Sequence, residues 1–321
     1  MDRYIGETEK NAMTPVFSYY MIRQSLPGSG DGDEPRAVLS NLRNSATMKA
    51  WIADVRTFLE RAARFPKRTI VLHVEPDMWG YGEQAANGDD ATTVPVARVA
   101  TLAGLARKVV AMRDRIAPNV LLAYHASGWG TRVDLSIQDP SPERTDRLAR
   151  RAARFYRSLG ARFDLTFTDW SDRDAAFKRI VYGAGPDAWF TAADHARWVR
   201  FMGGYSRAAA QRVAVWQLPV GNTIMRAMDD TWGHYQDNHV QWLLGRSRQQ
   251  HLDALAKAGV IGLLFGGGAE GTTCACDARG DGVTNPAPVN GNTRPSYNAD
   301  DDGGYWRHRA RGYYEPPVRL P

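Results

Sequence analysis

Thr69-Ile-Val-Leu-His-Val-Glu-Pro-Asp-Met-Trp-Gly-Tyr81 is the stretch on which the fold turns. Its β-branched and apolar start reads as a buried strand, and Pro76, with no N–H to give to a ladder, stops it. Glu75 and Asp77 stand at that stop, with Trp79 and Tyr81 directly after them. Acids at the carboxyl end of a buried parallel strand occupy the place where α/β barrels keep their catalytic groups. An aromatic ring beside an acid suits a sugar-binding cleft, because a flat apolar ring packs on a pyranose face. A helix cap or an ion pair is the plainer role open to the same carboxylates.

Five further apolar runs extend the pattern: Pro15–Ile22, Val120–His125, Phe163–Asp169, Arg212–Val220 and Val260–Phe265. Amphipathic stretches lie between them at about 41–64, 94–116, 143–158, 191–210 and 237–258, with a last one at about 303–314. Near-continuous apolar strands separated by helices predict parallel strands covered on both faces. A strand every ~45 residues predicts a single α/β domain over 1–321, a TIM-like (β/α) barrel, with 271–302 as a long irregular loop region. A helix-like stretch, Arg3–Ala12, precedes the first strand, although barrels open on a strand. A first strand upstream of Met1 would account for this, and the lack of an export signal then says little about location.

The loops are one-sided. After the strands come Arg23 and Gln24; Asp77, Trp79 and Tyr81; His125, Ser127 and Trp129; Asp169 and Trp170; Gln217 and Asn222; and Gly266-Gly-Gly-Ala-Glu270. The return turns are bland: Pro66-Lys-Arg, Pro118-Asn, Gly160-Ala-Arg and Gly259. Polar and aromatic groups gathered at the carboxyl ends of strands point to an enzyme.

Glu270 is the expected second carboxylate, in a loop whose glycines let the backbone turn sharply beside a ligand. Trp79, Trp129 and Trp232, beside glycines in loops, are candidate sugar platforms and Trp170 a further substrate-binding candidate, whereas Trp216, inside a strand, reads as core. His125, Asp169, Gln217, Asn222 and His234 are expected to hydrogen-bond substrate. The segment 227–238 reads as a lid or subsite wall, although Asp229, Asp230 and Asp237 could equally cap the helix that follows.

Composition narrows the classes. The chain is 43% apolar and long enough for a large core, and no run of eighteen apolar residues could span a membrane. The net charge of +6 suggests nucleic acid, yet lysine occurs only at 10, 49, 67, 108, 178 and 257. The arginines are scattered; Arg144, Arg147, Arg150, Arg151, Arg154 and Arg157 alternate with Glu143 and Asp146, a solvated helix face rather than a phosphate track. Cys274 and Cys276 lack the second pair that a closed zinc site needs, and a strained close disulfide or two free thiols both stay open. Asp277 to Asp281 has the outline of a calcium loop, but Arg279 stands where an oxygen ligand belongs. No metal or cofactor is expected.

Val74-Glu-Pro-Asp77 resembles the E-P-D motif of glycoside hydrolase family 6, the inverting cellulases, in which the Asp is the proton donor. Gly266-Gly-Gly-Ala-Glu-Gly-Thr-Thr273 resembles that family's late G-G-x-x-D-G-T-S loop, with Glu270 for its Asp. Trp232-Gly-His-Tyr235 and Asp302-Gly-Gly-Tyr-Trp306 resemble its W-G segment and the entry to its final helix. The motifs keep the family's order over about 69–310. The family's early Y-D-L-P-x-R-D-C-A motif supplies a supporting acid, whereas Phe17-Ser-Tyr-Tyr-Met-Ile-Arg-Gln-Ser25 has none. The resemblance implies a distorted seven-stranded barrel and a secreted or cell-surface glycoside hydrolase, with a cytoplasmic one still open. Asp77 would then be the acid, Glu75 its modulator and Glu270 the base, acting with inversion on a glycan other than β-1,4-glucan. The alternatives are a retaining enzyme with Glu75 as acid/base, a non-catalytic glycan binder, or a metal-dependent hydrolase in which His73, His125 and His234 converge.

Overall fold

A computed structural model of the chain describes residues 1–171, 173–185, 188–225, 228–230, 234–266, 302–313 and 320. Cα packing groups them into two compact units. Unit 1 comprises Met1–Val133, Arg147–Phe167 and Tyr205–Arg212, and unit 2 comprises Asp134–Asp146, Thr168–Gly204 and Val213–Pro321.

The strands in chain order are β1 (Val16–Tyr19), β2 (Ile70–Val74), β3 (Pro95–Val96), β4 (Ala100–Thr101), β5 (Val120–His125), β6 (Leu165–Asp169), β7 (Val213–Leu218) and β8 (Val260–Phe265). The main sheet runs β1-β2-β5-β6-β7-β8, and β3 and β4 form a separate antiparallel pair. β1 with β2, β2 with β5, β5 with β6, and β7 with β8 are parallel. All five residues of β2 are buried, as its unbroken apolar sequence predicts. The order is linear, and among the described residues no pair joins β1 to β8. The described strands thus form the parallel six-stranded sheet of an α/β fold.

The helices are α1 (Asp2–Lys10), α2 (Glu34–Arg43), α3 (Ser45–Ala62), α4 (Pro76–Ala85), α5 (Leu102–Ile116), α6 (Pro142–Ser158), α7 (Ala175–Val181), α8 (Ala192–Ala209), α9 (His239–Leu244), α10 (Arg248–Lys257) and α11 (Tyr305–Tyr313). In α3 the Asn44 side chain accepts from the Ala46 and Thr47 amides. Met48, Trp51, Val55, Leu59 and Ala62 recur at helical spacing on its buried face. None of the described helices is long and apolar enough to cross a membrane.

Four sequence expectations about helices are corrected. The stretch at 41–64 is two helices, α2 and α3, split at Asn44 because its backbone is extended while its side chain caps α3. The stretch from 94 opens with β3 and β4, and α5 begins only after Thr101, whose hydroxyl accepts from the Gly104 amide. The stretch 237–258 is divided into α9 and α10 by Gly245-Arg-Ser247. Most consequentially, Pro76 to Ala85 is α4 and not a loop. The proline that ends β2 is at home in the first turn of a helix, where its missing N–H costs nothing.

Unit 1 is centred on aromatic rings: Trp79 lies 5.3 Å from Tyr124 and 5.6 Å from Phe163, and Tyr124 lies 5.0 Å from Tyr156. In unit 2 the Trp242 ring is sandwiched between His195 at 4.1 Å and His251 at 4.0 Å, with Trp170 edge-on to His195.

Candidate functional site

In unit 1 the parallel strands β1, β2 and β5 bring their carboxyl ends to one edge, where three segments meet: Tyr20–Arg23, Glu75–Tyr81 and Ser127–Gly130. Glu75 is the hinge. Its backbone is left-handed (φ 46, ψ 71), a conformation that costs a non-glycine residue about 1–2 kcal/mol, and it is the residue from which α4 departs. Its side chain is completely buried. Oε1 accepts from the Trp51 indole at 2.7 Å, the Met21 amide at 2.9 Å and the Ile22 amide at 3.1 Å. Burial pushes its carboxyl up to about 7, against the pull of these donors. Glu75 therefore ties the segment after β1 to the end of β2, and no surface of it reaches solvent.

Asp77, in the first turn of α4, is only half-buried, and the Tyr20 hydroxyl donates to its Oδ2 at 2.6 Å. One turn further on, the Tyr81 hydroxyl donates to Glu34 Oε2 at 2.7 Å, and Trp129 packs on the Tyr81 ring at 4.8 Å. Arg23 approaches the other Glu34 oxygen at 3.7 Å through Nε, an atom with no hydrogen-bond acceptor. Burial raises both phenols, and the nearby carboxylates raise them further: Asp77 and Glu34 act on Tyr20 and on Tyr81 alike. Two acids, two phenols, an arginine and an indole thus share one partly open patch.

The structure moves several expected site residues inward. Trp79 is fully buried, its indole N–H given to the Val74 carbonyl at 2.6 Å, so its face packs on Tyr124 and offers nothing to a sugar. Trp170 is likewise interior, beside His195, His239 and Trp242. The platform expected at Trp79 and the substrate contact expected at Trp170 are both corrected, because helical or strand-end geometry turns each ring toward the core. His125 is buried against His73, the rings 5.1 Å apart with a 3.0 Å hydrogen bond, and Ser18 bonds the far side of His73 at 3.1 Å. Asn222 is buried with its amide donated to the Asp302 carbonyl and its oxygen taken by the Ile224 and Met225 amides, a turn-building role rather than substrate contact. His234 is also buried. Trp216, read as core, is half-buried. Trp129 and Tyr81 remain partly open, as do Asp169 and Gln217 in unit 2.

Glu270, Trp232, Cys274, Cys276 and the segment from Asp277 to Asp281 lie outside the described residues, as does most of 271–302. Among the described residues, no group of three His, Cys, Asp or Glu side chains is arranged to hold a metal ion.

Unit 2 holds a second polar cluster. Lys178 donates to Ser171 Oγ at 2.7 Å. Its amine is lowered by burial, against the opposing effect of Asp237, Asp134 and Asp169. Asp237 accepts from the Ala175 amide at 2.9 Å and from the His239 amide at 2.7 Å, and also bonds His239 Nδ1. It thereby anchors the start of α7 to the start of α9. Gln217 has a positive φ of 55 where the β7–β8 register shifts, a bulge that re-aims it out of the ladder.

Sequence reading missed Tyr20, Glu34, Glu83 and Lys178. Glu83 sits inside unit 1, with Oε1 unpartnered. Burial pushes its carboxyl up to about 8, Asp89 adding to the rise and Arg151 opposing it. The string Asp33-Glu-Pro-Arg36 signals a helix start. Nothing in it announces that Glu34 meets a phenol 47 positions away.

No family model matches the chain, and no curated protein matches it. Among solved structures it is similar to an engineered protein, with 14% identity and a TM-score of 0.46, over 85% of this chain and 52% of that one. It is also similar to a double mutant of an endo-β-1,4-mannanase from Cellulomonas fimi, with 14% identity and a TM-score of 0.49, over 98% of this chain and 57% of that one. The chain thus spans little more than half the length of the structures it matches.

Proposed function

We propose that this chain hydrolyses glycosidic bonds by carboxylate acid/base catalysis, with Asp77 as the general acid. The supporting observation is the setting of Asp77. It is a half-buried carboxylate at the end of a parallel strand, bonded by the Tyr20 phenol, on the same helix face as Tyr81 and the Trp129 ring that packs on it. Trp129 keeps the role of sugar platform that the sequence suggested, and Tyr81 joins it in place of the buried Trp79. Glu75, enclosed and held by three donors, positions the segment that carries Tyr20 and does not itself reach the substrate. The likeness of the E-P-D motif to glycoside hydrolase family 6 belongs to this proposal, as do an inverting course and an extracellular place of work.

The test is release of reducing sugar from a panel of plant, microbial and cell-wall glycans, mannans included, by the wild type and by Asp77→Asn. The expected result is release by the wild type and a drop of roughly 10²–10⁴-fold in the variant. A second reading, a glycan-binding protein without catalysis, is favoured by one observation, the complete burial of Glu75. Saturable glycan binding with no release by either protein would establish it.

A further inference from the structure

We infer that Glu34 is the second working carboxylate of this site, the base that activates the attacking water. The inference rests on the hydrolase reading above and adds a residue that the motifs do not contain.

The argument is one of placement. Asp77 and Tyr81 are four residues apart on α4 and so project from the same side of the helix. Tyr81 reaches from there to Glu34, in the first turn of α2, with a 2.7 Å hydrogen bond from its hydroxyl to Oε2. The two acids are therefore separated by about one helical turn and one tyrosine. An inverting glycosidase seats its water between carboxyls ~6.5–9.5 Å apart, and the inference requires Asp77 and Glu34 to stand in that range. Tyr20, bonded to Asp77, is raised chiefly by burial and then by Asp77, with Glu34 adding to the rise.

Access separates Glu34 from the other acids nearby. Its side chain is 49% exposed, whereas Glu75 and Glu83 are interior. Its remaining oxygen faces Arg23 at 3.7 Å, too far for a hydrogen bond, and Arg23 Nε has no acceptor. Arg23 thus pairs electrostatically with Glu34 Oε1 without donating to it, and the half-exposed carboxylate keeps that oxygen for an incoming water. Trp129, tilted against the Tyr81 ring at 4.8 Å, adds an apolar ring to the patch.

The step balances. A water oxygen forms a bond to the anomeric carbon while the glycosidic C–O bond breaks. Glu34 takes one proton from that water, and Asp77 gives its proton to the departing sugar oxygen. Exchange with solvent then returns both carboxyls to their starting states.

The experiment compares Glu34→Gln, Glu270→Gln and Asp77→Asn with the wild type on the best glycan of the panel, with and without sodium azide, alongside thermal melts. The expected result is a fall in kcat of at least roughly a hundredfold for Glu34→Gln at an unchanged melting temperature, with turnover restored by azide. A small anion can replace a missing base but not a missing acid, so azide should leave Asp77→Asn inactive on a glycan with a poor leaving group. If Asp77→Asn is inactive while Glu34→Gln stays within about threefold of the wild type, the hydrolase reading stands and Glu34 is not the base. Loss and azide rescue in Glu270→Gln alone would move the base to Glu270. Loss in Glu34→Gln without rescue would make Glu34 a substrate-binding residue and overturn its role as base. A wild type silent on every glycan would overturn the hydrolase reading together with this inference.

Discussion

At the scale of the residue, Glu75 shows how one carboxylate can fix a site without touching what the site binds. Three N–H groups converge on Oε1, and burial competes with them in setting its pKa. Trp51→Phe keeps the aromatic packing but removes one donor, so the carboxyl should rise above its present value of about 7, because that hydrogen bond favours the charged form. A carboxyl titration followed by NMR checks this, and an unchanged Glu75 would disprove the assigned role of the indole. The same substitution should cost about 1.5–3 kcal/mol of stability at pH 8, where Glu75 is mostly ionised in the wild type. Trp79 makes the converse case. With its ring enclosed and its N–H satisfied, Trp79→Ala should lower stability by about 3–5 kcal/mol in a denaturant melt. A sugar platform on the surface would lose affinity instead and leave the melt unmoved.

At the scale of the element, α4 carries both Asp77 and Tyr81, and Gly80 seats it against the loop after β5. A Cβ at Gly80 would stand 2.5 Å from the Trp129 ring and 2.7 Å from Ser127 Oγ. Alanine ordinarily strengthens a helix by about 1 kcal/mol over glycine, but a close-packed neighbour that must shift costs about 1–3 kcal/mol. Gly80→Ala should therefore destabilise, and by displacing Trp129 it should weaken glycan binding more than it lowers kcat. A melt together with KM and kcat measured separately would show this, and a stabilised variant with unchanged KM would refute the packing argument. Gly130 faces the same constraint, since a Cβ there would stand 2.5 Å from a Glu83 carboxylate oxygen.

At the scale of the whole molecule, buried titratable groups pull stability in opposite directions with pH. Glu75 and Glu83, raised by burial from 4.5 to about 7 and about 8, stay protonated in the folded chain after the unfolded chain has ionised. Their contribution is fully present below pH 4.5 and is lost as pH rises through 7 and 8. His195 is lowered by burial from 6.5 to about 2, and His73 is held well below 6.5, also by burial and then by His125. Folded, these imidazoles stay neutral, so their contribution is present above pH 6.5 and lost as pH falls below it. Between pH 4.5 and 6.5 the two trends oppose one another, two carboxyls against two imidazoles. The melting temperature should be nearly flat across that interval and fall on either side, and a Tm that climbed steadily to pH 8 would contradict this.

The sequence by itself determined the strands. The six apolar runs were placed to within about three residues, because burying an unbroken run of β-branched and aliphatic residues is a local property that neighbours scarcely alter. It also put Glu75 and Asp77 at the end of β2, since a proline must end a central strand wherever the chain goes next. Only the tertiary structure decided what the proline begins, and with it which residues point outward. On α4 a change in period from two to 3.6 sends Trp79 into the core while Asp77 and Tyr81 stay half-open. Tyr20, Glu34, Trp129 and Asp77 lie far apart along the chain and meet only because parallel strands bring the starts of their following segments to one edge. The same holds for charge. A sequence contains Glu83 and His195 as ordinary ionisable residues, and only the packing that removes them from water makes one a stubborn acid and the other a neutral ring.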